Sequence, residues 1–204
     1  MCKNTVFDKF AWIYNPFVKP FLDYKRFANE IRDVSNLDRL SKVLDVGGGT
    51  GLVAEYLVDD VESIIIIDPS EDMMSRIKSD KINKVRGFVQ DIKFSDESFD
   101  VIYCVDAFHH FVNGHNENDY ESIFDKCIRQ LLRVLKNSGK IIIIDIDKDR
   151  FGGKFIEFFE NNIMRWGSRF YSPNELKDLF SKYGTNTNIV SSCGSFYTLC
   201  ITKR

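Results

Sequence analysis

Nowhere in the 204 residues is there a run of roughly 18 apolar side chains, so no membrane span is expected. The opening decapeptide, MCKNTVFDKF, carries charges where a secretory leader needs its apolar region. An excess of one charge is also missing. Lys and Arg number 28 and Asp and Glu 30, a formal net charge of −2 with the basic residues scattered. Such a surface provides no global field for nucleic acid or an anionic membrane, and neither partner is expected. Cysteine is scarce and unpatterned: Cys2, Cys104, Cys127, Cys193 and Cys200 are odd in number and contain no CxxC. Free thiols in a reducing cytoplasm fit that usage. The only histidines, His109, His110 and His115, stand at no zinc-like spacing from a cysteine or carboxylate, so no metal is expected. Low-complexity tracts, internal repeats and a domain boundary are lacking as well, which leaves 204 residues for one domain.

What is present is organised around Lys42–Leu52, KVLDVGGGTGL. Val43, Leu44 and Val46 bracket Asp45, glycines follow at 47, 48, 49 and 51, and the apolar pattern resumes as GLVAEYL. This reads as strand Val43–Val46, tight turn, and a helix from Gly51 to Leu57. Glycine permits positive φ and lets a ligand lie against the backbone, while the helix start offers free N–H groups.

The rest of the chain alternates. Ser63–Asp68 is a continuous apolar strand of the kind buried on both faces of a parallel sheet. A helix over Pro69–Lys78 follows, capped by Ser70, then strands at Lys84–Val89 and Phe99–Val105. Tyr120–Leu135 carries one apolar stripe and is expected to end at Asn137-Ser138-Gly139, before strand Lys140–Ile146. Phe151–Arg169 is aromatic and expected to be helical. Ser172-Pro173-Asn174-Glu175 then holds a capping box that starts a helix to about Tyr183. Strands Asn188–Ser192 and Phe196–Thr202 close the chain as a hairpin about Gly194. The expected fold is α/β: a Rossmann-like, doubly wound, mostly parallel seven-stranded sheet with a C-terminal antiparallel hairpin strand. Residues 1–40 are expected to form a helical N-terminal cap rich in aromatics, and 151–171 a lid.

In an open parallel sheet, ligands bind beyond the carboxyl ends of the strands. Each of the first four strands here delivers an acid to that edge: Asp45, Asp68, Asp91 and Asp106. Asp68 stands where a carboxylate can accept from both hydroxyls of an adenosine ribose. A dinucleotide fingerprint from Gly47 needs a third glycine at 52, which is Leu52. Instead Asp45 precedes the turn, which suits a ligand with an ammonium group and no pyrophosphate.

With VLDVGGGTG, IIIIDPSEDMM, VQDIKFSDESFDVIYCVDAFHHF and LLRVLKNSGKIIIIDI in that order, the chain resembles the class I S-adenosylmethionine-dependent methyltransferases. It is most similar to the small-molecule branch of the ubiquinone and menaquinone biosynthesis enzymes. The resemblance implies S-adenosylmethionine as cofactor and a small-molecule methyl acceptor. It implies that Gly47, Gly48, Gly49 and Gly51 line the methionine portion, with Asp45 helping to place its ammonium. Asp68 would hold the ribose, Pro69 or Met73 would pack near the adenine, Asp91 would take its amino group, and Ile92 would lie against the ring. Val105 and Asp106 would close the site beside the methyl, and Tyr14 would reach the cofactor from the N-terminal segment. The quinone enzymes' substrate signatures find no match here.

The sulfonium methyl is already an electrophile, so positioning and water exclusion are the protein's main tasks. Where the acceptor must lose a proton, His109 or His110 stands at the right place after strand four. Trp166, Arg169 and Tyr171, in the lid, are candidates for shaping the acceptor pocket. Two other functions remain open: a cofactor-binding protein of this fold without catalysis, and a nicotinamide-dependent oxidoreductase. The latter is disfavoured by Leu52 and the missing Tyr-x-x-x-Lys.

Overall fold

The computed structural model describes residues 22–204. Helix α1 (Tyr24–Ser35) leads into β1 (Lys42–Val46), α2 (Ala54–Leu57), β2 (Ser63–Asp68), α3 (Glu71–Met74) and β3 (Ile82–Arg86). Then come β4 (Phe99–Val105), α4 (Tyr120–Val134), β5 (Leu135–Ile146), α5 (Phe151–Phe158), α6 (Pro173–Ser181), β6 (Asn186–Cys193) and β7 (Phe196–Thr202). The strands form one seven-stranded sheet in the order β3-β2-β1-β4-β5-β7-β6. The first five pair in parallel; β7 runs antiparallel to β5, and β6 antiparallel to β7.

Alternation of side chains along the strands divides the core in two. Leu44, Ile102, Ile141 and Ile143 face a cluster with Phe108, Phe124, Leu131 and Phe180. Their neighbours Val43, Val101, Ile142 and Ile144 face the other side, with Phe27, Ile31 and Leu57. This explains the unbroken isoleucine runs: a strand covered by helices on both faces has no polar side to display. On α4 the stripe Ile123, Phe124, Cys127, Ile128, Leu131 and Val134 is buried against that sheet. None of the described helices is long and apolar enough to cross a membrane.

Strands β2, β4 and β7 and the capping box lie where the sequence placed them. Other boundaries differ, each for a local reason. The first helix begins at Ala54 rather than Gly51, because Gly51 has φ +74 and cannot belong to a right-handed helix. Ser70 does cap α3, accepting from the Met73 N–H at 3.2 Å, but the helix stops at Met74 rather than Lys78. Strand β3 spans Ile82–Arg86, two residues earlier than expected at its start and three at its end. Its ladder finishes with Gly87 N–H donating to the Asp68 carbonyl, and Val89–Asp91 turns as a 3-10 segment. Asn137-Ser138-Gly139 does not separate helix from strand. It bulges inside β5, whose pairing with β4 jumps between Phe99↔Leu135 and Val101↔Lys140, with Ser138 at φ +62.

The aromatic segment is helical only to Ile163, its last turn a π-helix over Phe159–Ile163. Arg165 and Gly167, both at positive φ, then reverse the chain. Phe151, Phe155, Phe158 and Phe159 on it are exposed. Within the expected N-terminal cap, the part before Leu22, including Tyr14 and Trp12, lies outside the described residues.

Candidate active site

The sheet changes direction at β1. Strands β2 and β3 build outward on one side and β4 and β5 on the other, and the crevice at such a switch point is where ligands of doubly wound sheets bind. The glycine turn occupies that place. Gly47 donates its N–H to the Ile67 carbonyl at 2.8 Å, tying the turn to the end of β2. A Cβ on Gly47, which has φ +72, would stand 2.7 Å from the Ala107 Cβ, so the loops after β1 and β4 touch across the switch point. Beneath Gly48 lies the Asp45 carboxyl, which any Cβ there would overlap. The turn is therefore a bare-backbone surface between two strand ends.

Asp68 organises the far wall. Its Oδ2 accepts from the Gly49 N–H at 3.0 Å and its Oδ1 from the Ser70 N–H at 2.8 Å. Met73, buried, sends its Cε over Gly49, 3.1 Å from where a Cβ would sit. Both Asp68 oxygens thus serve backbone N–H groups, one in the glycine turn and one at the start of α3. Asp45 is only 2% exposed. Burial pushes its carboxyl up to about 8; the Tyr103 hydroxyl opposes the rise and the Asp68 carboxylate adds to it. At neutral pH Asp45 is thus mainly protonated beneath the turn.

Beyond β4 the chain turns at Asp106, a non-glycine at φ +54, whose N–H donates to the Ile144 carbonyl at 2.8 Å. His109 and His110 follow on a single 3-10 turn. The buried His109 is gripped by Asp145 at the end of β5. Its Nδ1 lies 2.6 Å from Oδ1, and its backbone N–H donates to Oδ2 at 3.0 Å. Its ring stacks on Phe170 with centroids 4.4 Å apart, and Nε2 faces Glu160 Oε1 at 3.8 Å. Burial alone would lower the imidazole pKa. The Asp145 carboxylate, with Glu160 and Asp106, outweighs burial and holds it at about 9. His110 goes the other way: burial, then the neighbouring His109 charge, hold it well below the usual imidazole range. Its Nδ1 meets Ser168 Oγ at 2.9 Å and Asn113 Nδ2 at 3.1 Å. Burial also pushes Asp106 up to about 7, against the pull of His109.

The remaining expected site residues are placed unevenly. Pro69 and Val105 are half-buried at the ends of β2 and β4. Asp91 stands at the surface paired with Lys93 at 2.5 Å, and Ile92 is packed in the core beside Phe99. Trp166 packs edge-on against His110, with centroids 5.7 Å apart. Arg169 is exposed, its guanidinium 5.6 Å over the Tyr171 ring, and Tyr171 packs on Phe108 and Phe124. Asp145, Glu160, Ser168 and Phe170 belong to this cluster and were missed. Asp145 had a signal: it follows four isoleucines one residue before the end of the fifth apolar strand, much as Asp68 follows four at the end of the second. Glu160 had none, because its place beside the histidines is made by a π-turn fifty residues downstream.

A family model described as a methyltransferase domain matches residues 44–143. An uncharacterized methyltransferase of Staphylococcus carnosus is 28% identical, over 83% of this chain and 80% of its own. A Methanocaldococcus jannaschii protein is 31% identical, over 75% of this chain and 67% of its own. A ubiquinone/menaquinone biosynthesis C-methyltransferase of Idiomarina loihiensis is 28% identical over 57% of this chain, which spans 47% of that enzyme's length. The YcgJ protein of Bacillus subtilis shares the fold, with a TM-score of 0.65 over 80% of this chain and 70% of its own at 23% identity.

Proposed function

The chain belongs to the class I S-adenosylmethionine-dependent methyltransferases, and from that premise we propose that it methylates a small-molecule acceptor held over the carboxyl ends of β1, β4 and β5. One observation carries the reading. The bare glycine turn, clamped through Gly49 to Asp68, touches the β4 loop that bears Asp106, His109 and His110. A cofactor lying on the turn and reaching Asp68 with its ribose therefore has its far end at the two histidines.

When bound, S-adenosylmethionine supplies a sulfonium methyl as electrophile. Gly47, Gly48, Gly49 and Gly51 bind its amino-acid portion with backbone, and the buried Asp45 fixes that backbone from below. Asp68 takes the ribose hydroxyls, with Pro69 and Met73 beside the adenine. Asp91 and Ile92 mark the turn that borders it, and Val105 and Asp106 close the methyl end. His110, held neutral, takes the proton of an acceptor hydroxyl or ammonium, and His109, paired with Asp145, holds the loop in place. Trp166, Arg169 and Tyr171 shape a partly apolar pocket, and residues 151–171 act as its cover.

The test is calorimetry with S-adenosylhomocysteine and NAD, followed by a metabolite screen with methyl-labelled S-adenosylmethionine. The expected result is binding of the sulfur compound, no heat from NAD, and label transferred to a small molecule. Strong NAD binding with no response to the sulfur compounds would overturn the reading.

A further inference from the structure

Two adjacent histidines and a glutamate fifty residues on bring possible metal-ligand atoms together. One atom each from His109, His110 and Glu160 lies within 4.8 Å of the other two. Asp145 occupies Nδ1 of His109, so Nε2 is the nitrogen turned toward Glu160, at 3.8 Å. His110 Nδ1 lies 3.8 Å from the other Glu160 oxygen, Oε2. That Oε2 is buried and has no hydrogen-bond partner, in a residue only 8% exposed. Around His110 Nδ1 stand the Ser168 hydroxyl at 2.9 Å and the Asn113 amide nitrogen at 3.1 Å, and neither supplies Glu160 Oε2 with a hydrogen bond. A buried carboxylate oxygen without a hydrogen-bond partner is costly unless something positive lies against it.

We propose that His109 Nε2, His110 Nδ1 and Glu160 bind a divalent transition cation of the Zn²⁺ type, with Asp145 as the outer carboxylate that orients His109. Two imidazoles, one carboxylate and an open fourth position form a donor set suited to such an ion. A carboxylate on the second nitrogen of a ligating histidine is the usual support for one. Around a tetrahedral ion these atoms stand roughly 3.4 Å apart; here each histidine is 3.8 Å from its own Glu160 oxygen and the set lies within 4.8 Å, so the ion would draw the three side chains together. The ion replaces the Nε2 proton of His109 and the donors now at His110 Nδ1. Its fourth position is left for water or for an oxygen or nitrogen of the acceptor, whose proton it would make easier to remove. Binding of the ion needs neither cofactor nor acceptor, so it stands or falls apart from the methyl-transfer reading.

The full chain, stripped with a chelator and freed of it, is titrated with Zn²⁺ by calorimetry, with Mg²⁺ as control. Cu²⁺ loaded in place of Zn²⁺ is read by electron paramagnetic resonance. One Zn²⁺ per chain with a micromolar or tighter Kd is expected, with no heat from Mg²⁺ and copper couplings to two imidazole nitrogens. Glu160→Gln and His110→Asn should each weaken Zn²⁺ at least tenfold. Absence of stoichiometric Zn²⁺ binding overturns the proposal, as does binding kept by both variants or copper without imidazole coupling. Zn²⁺ binding abolished by Cys193→Ser, at the exposed thiol, overturns it too.

Discussion

The two halves of the crevice are built in opposite ways. The glycine-turn edge, from Asp45 to Asp106, comes from strand ends and is held by backbone. Gly47 N–H reaches Ile67, Gly49 N–H reaches Asp68, and Asp106 N–H reaches Ile144. The histidine edge is held by side chains from separate segments: His109 and His110 after β4, Asp145 on β5, Glu160 on the π-turn and Ser168 beyond it. A backbone-made edge is sensitive to any Cβ and to the few carboxylates that receive its N–H groups. An edge made of charges is sensitive to the loss of one charge, because its partner is left buried and unpaired.

That contrast can be broken or sharpened by substitution. The largest effect is expected at Asp145→Ala, which strands the buried His109 imidazolium. Removing one partner of a buried pair costs about 3–5 kcal/mol. In a chain of this size that lowers Tm by roughly 10 °C or more at pH 7. A melt within a degree or two of wild type would show that the histidine edge is not held by charge.

Asp68→Ala comes next and should spare the fold. It removes charge-assisted bonds worth roughly 1.5–3 kcal/mol each, so the calorimetric Kd for S-adenosylhomocysteine rises at least about tenfold. An unchanged Kd would put the ribose elsewhere. Gly48→Ala forces a Cβ onto the Asp45 carboxyl and should cost about 1–3 kcal/mol, seen in Tm and Kd together. If it is silent, the turn is not the close-packed surface described above.

Asp45 adds a pH effect of its own. Its carboxyl titrates at about 8 in the fold against 3.8 ordinarily, so the folded state holds its proton the more tightly. The stability this provides is complete below pH 3.8 and is lost as pH rises through about 8. Asp45→Asn stays neutral throughout. It should reduce the decline in stability between pH 5 and 8 by up to about 1.4 kcal/mol per pH unit. A denaturant series that gives parallel curves for both proteins would contradict the buried, protonated state.

The smallest effect belongs to Trp166→Ala, which removes an edge-on aromatic contact with His110 worth about 0.5–1.5 kcal/mol. Turnover is expected to fall about three- to tenfold, with Tm lowered by roughly 1–6 °C. The same loss of Tm with turnover unchanged would make the tryptophan structural only.

The same division runs through what could be read beforehand. Apolar strands of four to seven residues, each with an acid at or near its carboxyl end, announced a parallel sheet and the edge that carries Asp45, Asp68 and Asp106. Helix lengths were less legible. Where α2 starts depends on Gly51 φ, and at the end of α3 the Ser75 hydroxyl donates to the Asp72 carbonyl; neither follows from apolar period. Asp91 shows the limit of reading by position. It follows the third strand as expected, yet its carboxylate pairs with Lys93 in solvent because the 3-10 turn rotates it outward.

Sequence by itself determined the layers, the parallel order of the runs and the glycine turn, because burial on both faces, tight turns and helix caps are local demands that each residue's own chemistry expresses. Only the tertiary structure decided that His109 lies between Asp145 and Glu160, that His110 is kept neutral beside it, and that Asp45 is buried and protonated. Those states depend on distances between segments 36 to 51 residues apart and on the water excluded between them. Coulomb energy and desolvation follow distance in space, which spacing along the chain does not record.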